Sequence, residues 1–393
     1  MRVRAAARAA ERKTGVGHTV PAPPVLSLAA YARLGFRRVL LTRRPVSGPP
    51  AIPAGNFLMA LKMLIKPIKM SSLNYWPLRC VFFAWCLCLT LFSPAGAQEL
   101  SKGEEILREL MWDKIVQTKS PARPGVGLAL SGGGARGFAH TGVLEALEYA
   151  AFPVDYVSGT SIGSVIGGLY SSGMSVPDIW KFARETSTLK VSRDFRGIKL
   201  LSLLMTNKLI TPTYINRFIE KNLGSLTFGE LKKPFSCVAM DFRTGEKIIF
   251  DEGPLGIAVR ASVNLPGIFA PVEYRHRYLV DGGVVDFIPV DAVRLLGADW
   301  VLASVTAGIS KELPGNVLTS LLQVIDIRGS MLAGNEEKYA DFVIKPNVDE
   351  IKMADFDQCT EAGDAGLMEA AKRVDGAREA YLLFSAPRLL EGL

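Results

Sequence analysis

Histidine is nearly absent from this chain of 393 residues, which has three: His18, His140 and His276. A Ser–His–Asp triad has at most two candidate bases beyond residue 97. Cysteine is scarce too. Cys80, Cys86 and Cys88 fall in an apolar stretch near the front, leaving Cys237 and Cys359 for the rest. Two cysteines make no disulfide framework. Cys237, inside "FSCVAMDF", reads as a buried strand residue, with a 237–359 bridge as the alternative in an oxidising compartment. Acids are missing from the front: residues 1–97 hold 14 of the 46 Lys/Arg but only Glu11 of the 38 Asp/Glu. The remainder holds 32 basic and 37 acidic residues, a net of −5, so the overall +8 belongs to the leader. A nucleic-acid partner inferred from the basic isoelectric point therefore loses its support.

The leader has a recognisable layout. Lys62, Lys66, Lys69 and Arg79 precede "CVFFAWCLCLTLF", an apolar run of 13 residues, and "SPAGA" places small residues at Ala95 and Ala97. A basic region, a short apolar core and an A-x-A-like site describe a secretory signal peptide, and the core is short for a membrane span of about 20 residues. The expectation is a signal over 59–97, cleavage near Ala97–Gln98, and a periplasmic or secreted protein. Residues 1–58, rich in Arg, Ala and Pro, are expected to be a non-native or disordered extension in front of Met59, with an Arg-rich transit peptide as the competing view.

Residues 98–124 read as a short helix and linker. From Gly125 the pattern alternates: "VGLALS", "VDYVS", "FSCVAMDF", "EKIIF", "YLVDGG", "WVLASV" and "DFVIKP" have strand character. Helical spacing lies between them at 138–150, 163–173, 176–223, 289–297, 316–333 and 361–384. Such alternation predicts an α/β domain with a mainly parallel central sheet and helices on both faces.

Two glycine-rich turns carry the chemistry. "LALSGGGARGFAH" holds Gly132-x-Gly134-x-x-Gly137 between strand and helix, with Asp155 23 residues beyond Gly132. That spacing suits a dinucleotide, which keeps an oxidoreductase on the table. The same run of N–H groups at a helix start suits an oxyanion equally well. The second turn, Gly159-Thr160-Ser161-Ile162-Gly163, follows a strand and opens a helix, the setting of a nucleophile elbow. Its serine needs a base. His140 precedes it, where a packing or loop-bracing role is expected, and His276 falls in "VEYRHRYLV", which resembles an exposed strand face. Asp281, closing a strand before Gly282-Gly283, can take the proton directly if burial raises its basicity. Asp286 and Asp291 lie nearby, where capping explains them.

The blocks "SGGGARGFAHTGVLEAL", "GTSIGSVIGGLY", "ASVNLPGIFAPV" and "DGGVVDFIPV" occur in that order. They resemble the four signature blocks of patatin-like phospholipases, and more narrowly the bacterial members related to neuropathy target esterase, over residues 125–385. The resemblance implies an α/β, patatin-like three-layer fold with a central, mostly parallel sheet flanked by helices. It implies hydrolysis of phospholipid or lysophospholipid acyl esters by a Ser–Asp dyad at a membrane surface, without metal or cofactor. By position it makes Ser161 the nucleophile, Asp281 the base, and Gly132, Gly133, Gly134 and Arg136 the oxyanion loop. Gly159, Gly163, Gly282, Gly283, Pro266 and Gly267 would support the motif. Asn264 falls at a variable position and carries no inference. The apolar segment 196–220 is a lid, a docking face or a core helix, and a catalytically inactive lipid-binding protein is the remaining alternative.

Overall fold

The computed structural model describes residues 94–188, 213–309 and 312–391, all within one compact unit, Phe92–Leu393. Residues 1–58 and the segment expected to be a signal, up to residue 93, lie outside the described residues, as does segment 196–220 up to residue 212. Strand–helix alternation begins at β1 (Val126–Leu130), followed by α2 (Ala139–Tyr149), β2 (Tyr156–Thr160), α3 (Ile162–Ser172) and α4 (Val176–Thr188). In front of β1, α1 (Pro94–Gln117) is longer than the short helix expected there. Its Trp112 and Ile115 are buried, which anchors it to the domain.

Beyond the undescribed segment come α5 (Thr213–Leu223), the antiparallel pair β3 (Phe235–Asp241) and β4 (Lys247–Phe250), and α6 (Leu255–Ser262). A hairpin of β5 (Val272–Tyr274) and β6 (Arg277–Asp281) follows, then α7 (Val290–Leu295), β7 (Trp300–Ser304), α8 (Val317–Glu336), β8 (Phe342–Ile344) and α9 (Cys359–Glu391).

Five strands, β3-β2-β1-β7-β8, pair in parallel, while β4, β5 and β6 add antiparallel pairings around β3. Strand side chains alternate between faces. Accordingly Val126, Leu128 and Leu130 of β1 join Trp300 and Leu302 of β7 in one core under α2, α3 and α9, whereas Ala129, Val301 and Ala303 face a second, thinner core under α7 and the end of α8. The central strands are buried on both faces, as a parallel sheet between two helical layers requires. Cys237 and Cys359 are both buried free thiols, so the alternative of a 237–359 bridge is not realised.

Candidate active site

The registers around β3 decide where the site forms. Val157–Thr160 of β2 pair with residues 235–238, and Leu279–Asp281 of β6 pair with residues 241–239. β4 pairs with 237–240 and so takes up the opposite edge along both stretches. β2 and β6 therefore share one edge of β3 and run head-on toward each other. They stop at neighbouring rungs, Thr160 opposite Val238 and Asp281 opposite Ala239. Two segments 120 residues apart in sequence are delivered to one point.

Ser161 turns the chain from β2 into α3 with φ 54° and ψ −127°, a left-handed conformation that costs a non-glycine residue roughly 1–3 kcal/mol. Its N–H donates to Ser262 Oγ (2.9 Å), and its carbonyl accepts from Ser164 Oγ (2.6 Å) and Ser164 N (2.8 Å). The elbow has no room for side chains at its flanks. A Cβ on Gly163 would lie 2.3 Å from the Leu130 carbonyl oxygen, and one on Gly159 would lie 2.3 Å from that of Gly163.

Ser161 Oγ donates to Asp281 Oδ2 at 2.6 Å. Gly283 N donates to Asp281 Oδ1 at 2.8 Å, and the Asp281 N–H donates to the Asn264 carbonyl at 2.9 Å. Asp281 is 3% exposed, and burial pushes its carboxyl up to about 7 against the pull of the Ser161 and Gly283 hydrogen bonds. A carboxylate poised there can hold or release a proton near neutrality. Gly282 is required because a Cβ would meet the Val238 carbonyl at 2.5 Å. The Pro266–Gly267 turn lies between Asn264 and Ala270, spanned by a hydrogen bond from Asn264 Nδ2 to the Ala270 carbonyl (2.8 Å).

The glycine loop divides its donors. Gly132 N donates to the Phe287 carbonyl (3.0 Å) and Ala135 N to that of Met353 (2.9 Å). The N–H groups of Gly133 (φ 149°) and Gly134 (φ 58°) have no acceptor among the described residues. Of the three glycines expected to bind an oxyanion, Gly132 is thus committed elsewhere. Arg136 departs further from expectation. Its side chain is buried against Asp326 of α8 in an ion pair and does not line the site cavity. It ties the loop to α8, and Asp326 neutralises it.

The two histidines among the described residues are accounted for by structure. His140 is fully buried. Its Nε2 contacts the Ser131 carbonyl (2.9 Å), which can only accept, so Nε2 carries the proton and Nδ1 accepts from Ser304 Oγ (2.7 Å). Burial lowers its pKa to about 4. His276, expected on a strand face, instead occupies the exposed β5–β6 turn with Arg275, both at positive φ, at the far end of β6 from Asp281. Asp286 and Asp291 share Lys247 as an ion-pair partner, a tie absent from the capping expectation. Asp155 binds Arg123 (2.7 Å) and accepts from Val126 N (2.8 Å). That carboxylate is engaged by the chain itself, which removes the ribose partner a dinucleotide would need.

An apolar cavity opens over Ser161, Asp281 and the glycine loop, walled by side chains such as Val165, Phe182, Phe218, Leu265, Ile325 and Phe356. Phe182 and Phe218 stack at 3.8 Å, so the described end of segment 196–220 forms a wall of this cavity. Ser262 touches Ser161 and Asn264 touches Asp281; sequence reasoning gave Ser262 no role and drew no inference from Asn264. Their one signal was membership of the third glycine- and proline-containing block.

The strained serine turn and the buried carboxylate thus meet beneath an apolar cavity on the mostly parallel sheet of an α/β protein. Residues 128–294 match the family model described as patatin-like phospholipase. It is 31% identical over 192 residues to an uncharacterized NTE family protein of Mycobacterium bovis, covering 48% of this chain and 51% of that protein. It is 30% identical over 298 residues to lysophospholipase NTE1 of Lodderomyces elongisporus, covering 73% of this chain and 20% of that protein. The chain thus spans about half the length of the mycobacterial relative and a fifth of the yeast one. Among solved structures it resembles VipD from Legionella pneumophila, with a TM-score of 0.40 and 15% identity over 65% of this chain and 67% of that one. Human GIVD cytosolic phospholipase A2 gives a TM-score of 0.40 and 13% identity over 72% and 64%.

Proposed function

We propose that the protein hydrolyses fatty-acyl esters of phospholipids or lysophospholipids through a Ser161–Asp281 dyad. The observation that carries this reading is the 2.6 Å hydrogen bond from Ser161 Oγ to Asp281 Oδ2 at the base of an apolar cavity. In the first half-reaction Asp281 takes the Ser161 proton as Oγ bonds to the ester carbonyl carbon. The oxyanion that forms is held by the Gly133 and Gly134 N–H groups, a contribution of roughly 3–4 kcal/mol per donor. Asp281 passes its proton to the departing alcohol oxygen as the C–O bond breaks, leaving an acyl ester on Ser161. In the second half-reaction Asp281 takes a proton from water, hydroxide adds to the acyl carbon, and the proton returns to Ser161 as the fatty acid leaves. The positive end of α3 favours negative charge developing at Ser161.

The apolar walls suit an acyl chain, and the names of the yeast relatives point to lysophospholipid. The test is release of fatty acid from lysophosphatidylcholine and diacyl phosphatidylcholine by the purified protein, together with labelling by an alkyl fluorophosphonate. Ser161→Ala is expected to lose both hydrolysis and label. A wild-type protein that neither hydrolyses nor labels would support the inactive lipid-binding alternative. Export with cleavage near Ala97–Gln98 and action at a membrane surface are part of the same proposal, tested by cell fractionation and N-terminal sequencing.

A further inference from the structure

We propose that Ser262 is a positioning residue that, with Asn264, works as a clamp setting the distance between Ser161 and Asp281. This rests on reading those two residues as nucleophile and base. Ser262 ends α6 and is fully buried, and its Oγ is the acceptor for the Ser161 N–H (2.9 Å). Two residues on, the Asn264 carbonyl is the acceptor for the Asp281 N–H (2.9 Å). The Asn264 side chain, 2% exposed, is committed to the Ala270 carbonyl (2.8 Å), which fixes the turn that aims its own carbonyl. One short stretch of chain thus holds the backbone of both halves.

The need for a clamp follows from the registers. β2 and β6 meet end to end, with no hydrogen-bonded ladder between them, so pairing along β3 sets their rungs and leaves the gap between their ends unsecured. Ser161 is also strained and has every physical reason to relax. Binding its N–H to Ser262 blocks that relaxation. It also withdraws this N–H from any oxyanion role, which leaves that task to Gly133 and Gly134.

The experiment compares wild type, Ser262→Ala and Ser262→Thr, with kcat expressed per site titrated by fluorophosphonate so that the folded fraction drops out. Ser262→Ala removes the acceptor, and kcat is expected to fall on the order of 100-fold, as for a misplaced reacting group, with KM within threefold. Ser262→Thr keeps a hydroxyl and is expected to recover most of that loss. The pH profile separates positioning from mere structural support. The Ser161 hydrogen bond lowers the Asp281 pKa, so a slack elbow moves the acid limb of kcat/KM to higher pH in Ser262→Ala. A kcat and acid limb in Ser262→Ala equal to wild type would overturn the clamp. If Ser262→Ala yields no folded protein, Ser262→Cys, of similar volume but a weaker acceptor, is read the same way. In the same assay Ser161→Ala must be inactive and Asp281→Asn must lose about 10³ in kcat. If either hydrolyses at close to the wild-type rate, the dyad itself fails, whatever Ser262 does.

Discussion

Replacing Asp281 by Asn should make the protein more stable and nearly inactive, with a stability gain that depends on pH. The amide fits the site. Its oxygen can keep the Gly283 N–H, and its NH2 can donate to Ser161 Oγ, which then accepts instead of donating. The substitution removes the cost of an ionised carboxylate in a buried place. Asp281 is held at about 7 against an ordinary value of 3.8, which corresponds to a penalty of about 4 kcal/mol once it is ionised. The sign follows from proton binding. Between about pH 4 and pH 7 the native state keeps the proton that the unfolded chain has released, so this group lowers stability as pH rises, with the full penalty reached above 7. His140 acts oppositely across much of the same window. Its folded pKa is lowered to about 4, so the unfolded chain binds the proton first and stability falls as pH drops below about 6.5. The two slopes largely cancel in wild type, and only the difference between variant and wild type isolates Asp281. The assay is urea unfolding of both proteins at pH 4, 6 and 8. Asp281→Asn is expected to gain roughly 2–4 kcal/mol at pH 8, less at pH 6 and nothing at pH 4, with kcat down by about 10³ for loss of a general base. A gain that does not vary with pH, or a variant less stable at pH 8, would refute the assignment of a buried, neutral-range carboxyl. Retained turnover would refute the base.

Arg136→Met leaves Asp326 buried without its partner and is expected to cost about 3–5 kcal/mol in urea unfolding. Arg136→Met combined with Asp326→Leu should recover most of that, and kcat per titrated site should change by less than tenfold in both. His140→Ala loses two buried hydrogen bonds and opens a cavity, at a cost of about 2–4 kcal/mol, while kcat per titrated site stays within tenfold. A thousandfold loss there would reinstate histidine as the base. Gly134→Ala adds a Cβ 2.4 Å from the Met353 carbonyl oxygen at φ 58°. Displacing that N–H is expected to lower kcat on the order of 100-fold in steady-state hydrolysis by protein that elutes as folded.

The alternation of strands and helices and the two glycine turns are properties of short windows, and the sequence alone determined them. A Gly-x-Ser-x-Gly between an apolar strand and a helix has few backbone solutions, because Gly159 and Gly163 leave space only for main chain. Asp281 stood out because its carboxylate closes a strand before two glycines in a chain with hardly any histidine. What separated Arg136 from the site, committed Gly132 to Phe287 and brought Ser262 and Asn264 into contact with the pair was the meeting of distant segments. Side-chain direction after a tight turn, and the partner each N–H finds, depend on register and packing across the whole sheet. Only the tertiary structure decided that β2 and β6 would run at each other along one edge of β3, because strand pairing is long-range and a shift of one rung would part Ser161 from Asp281.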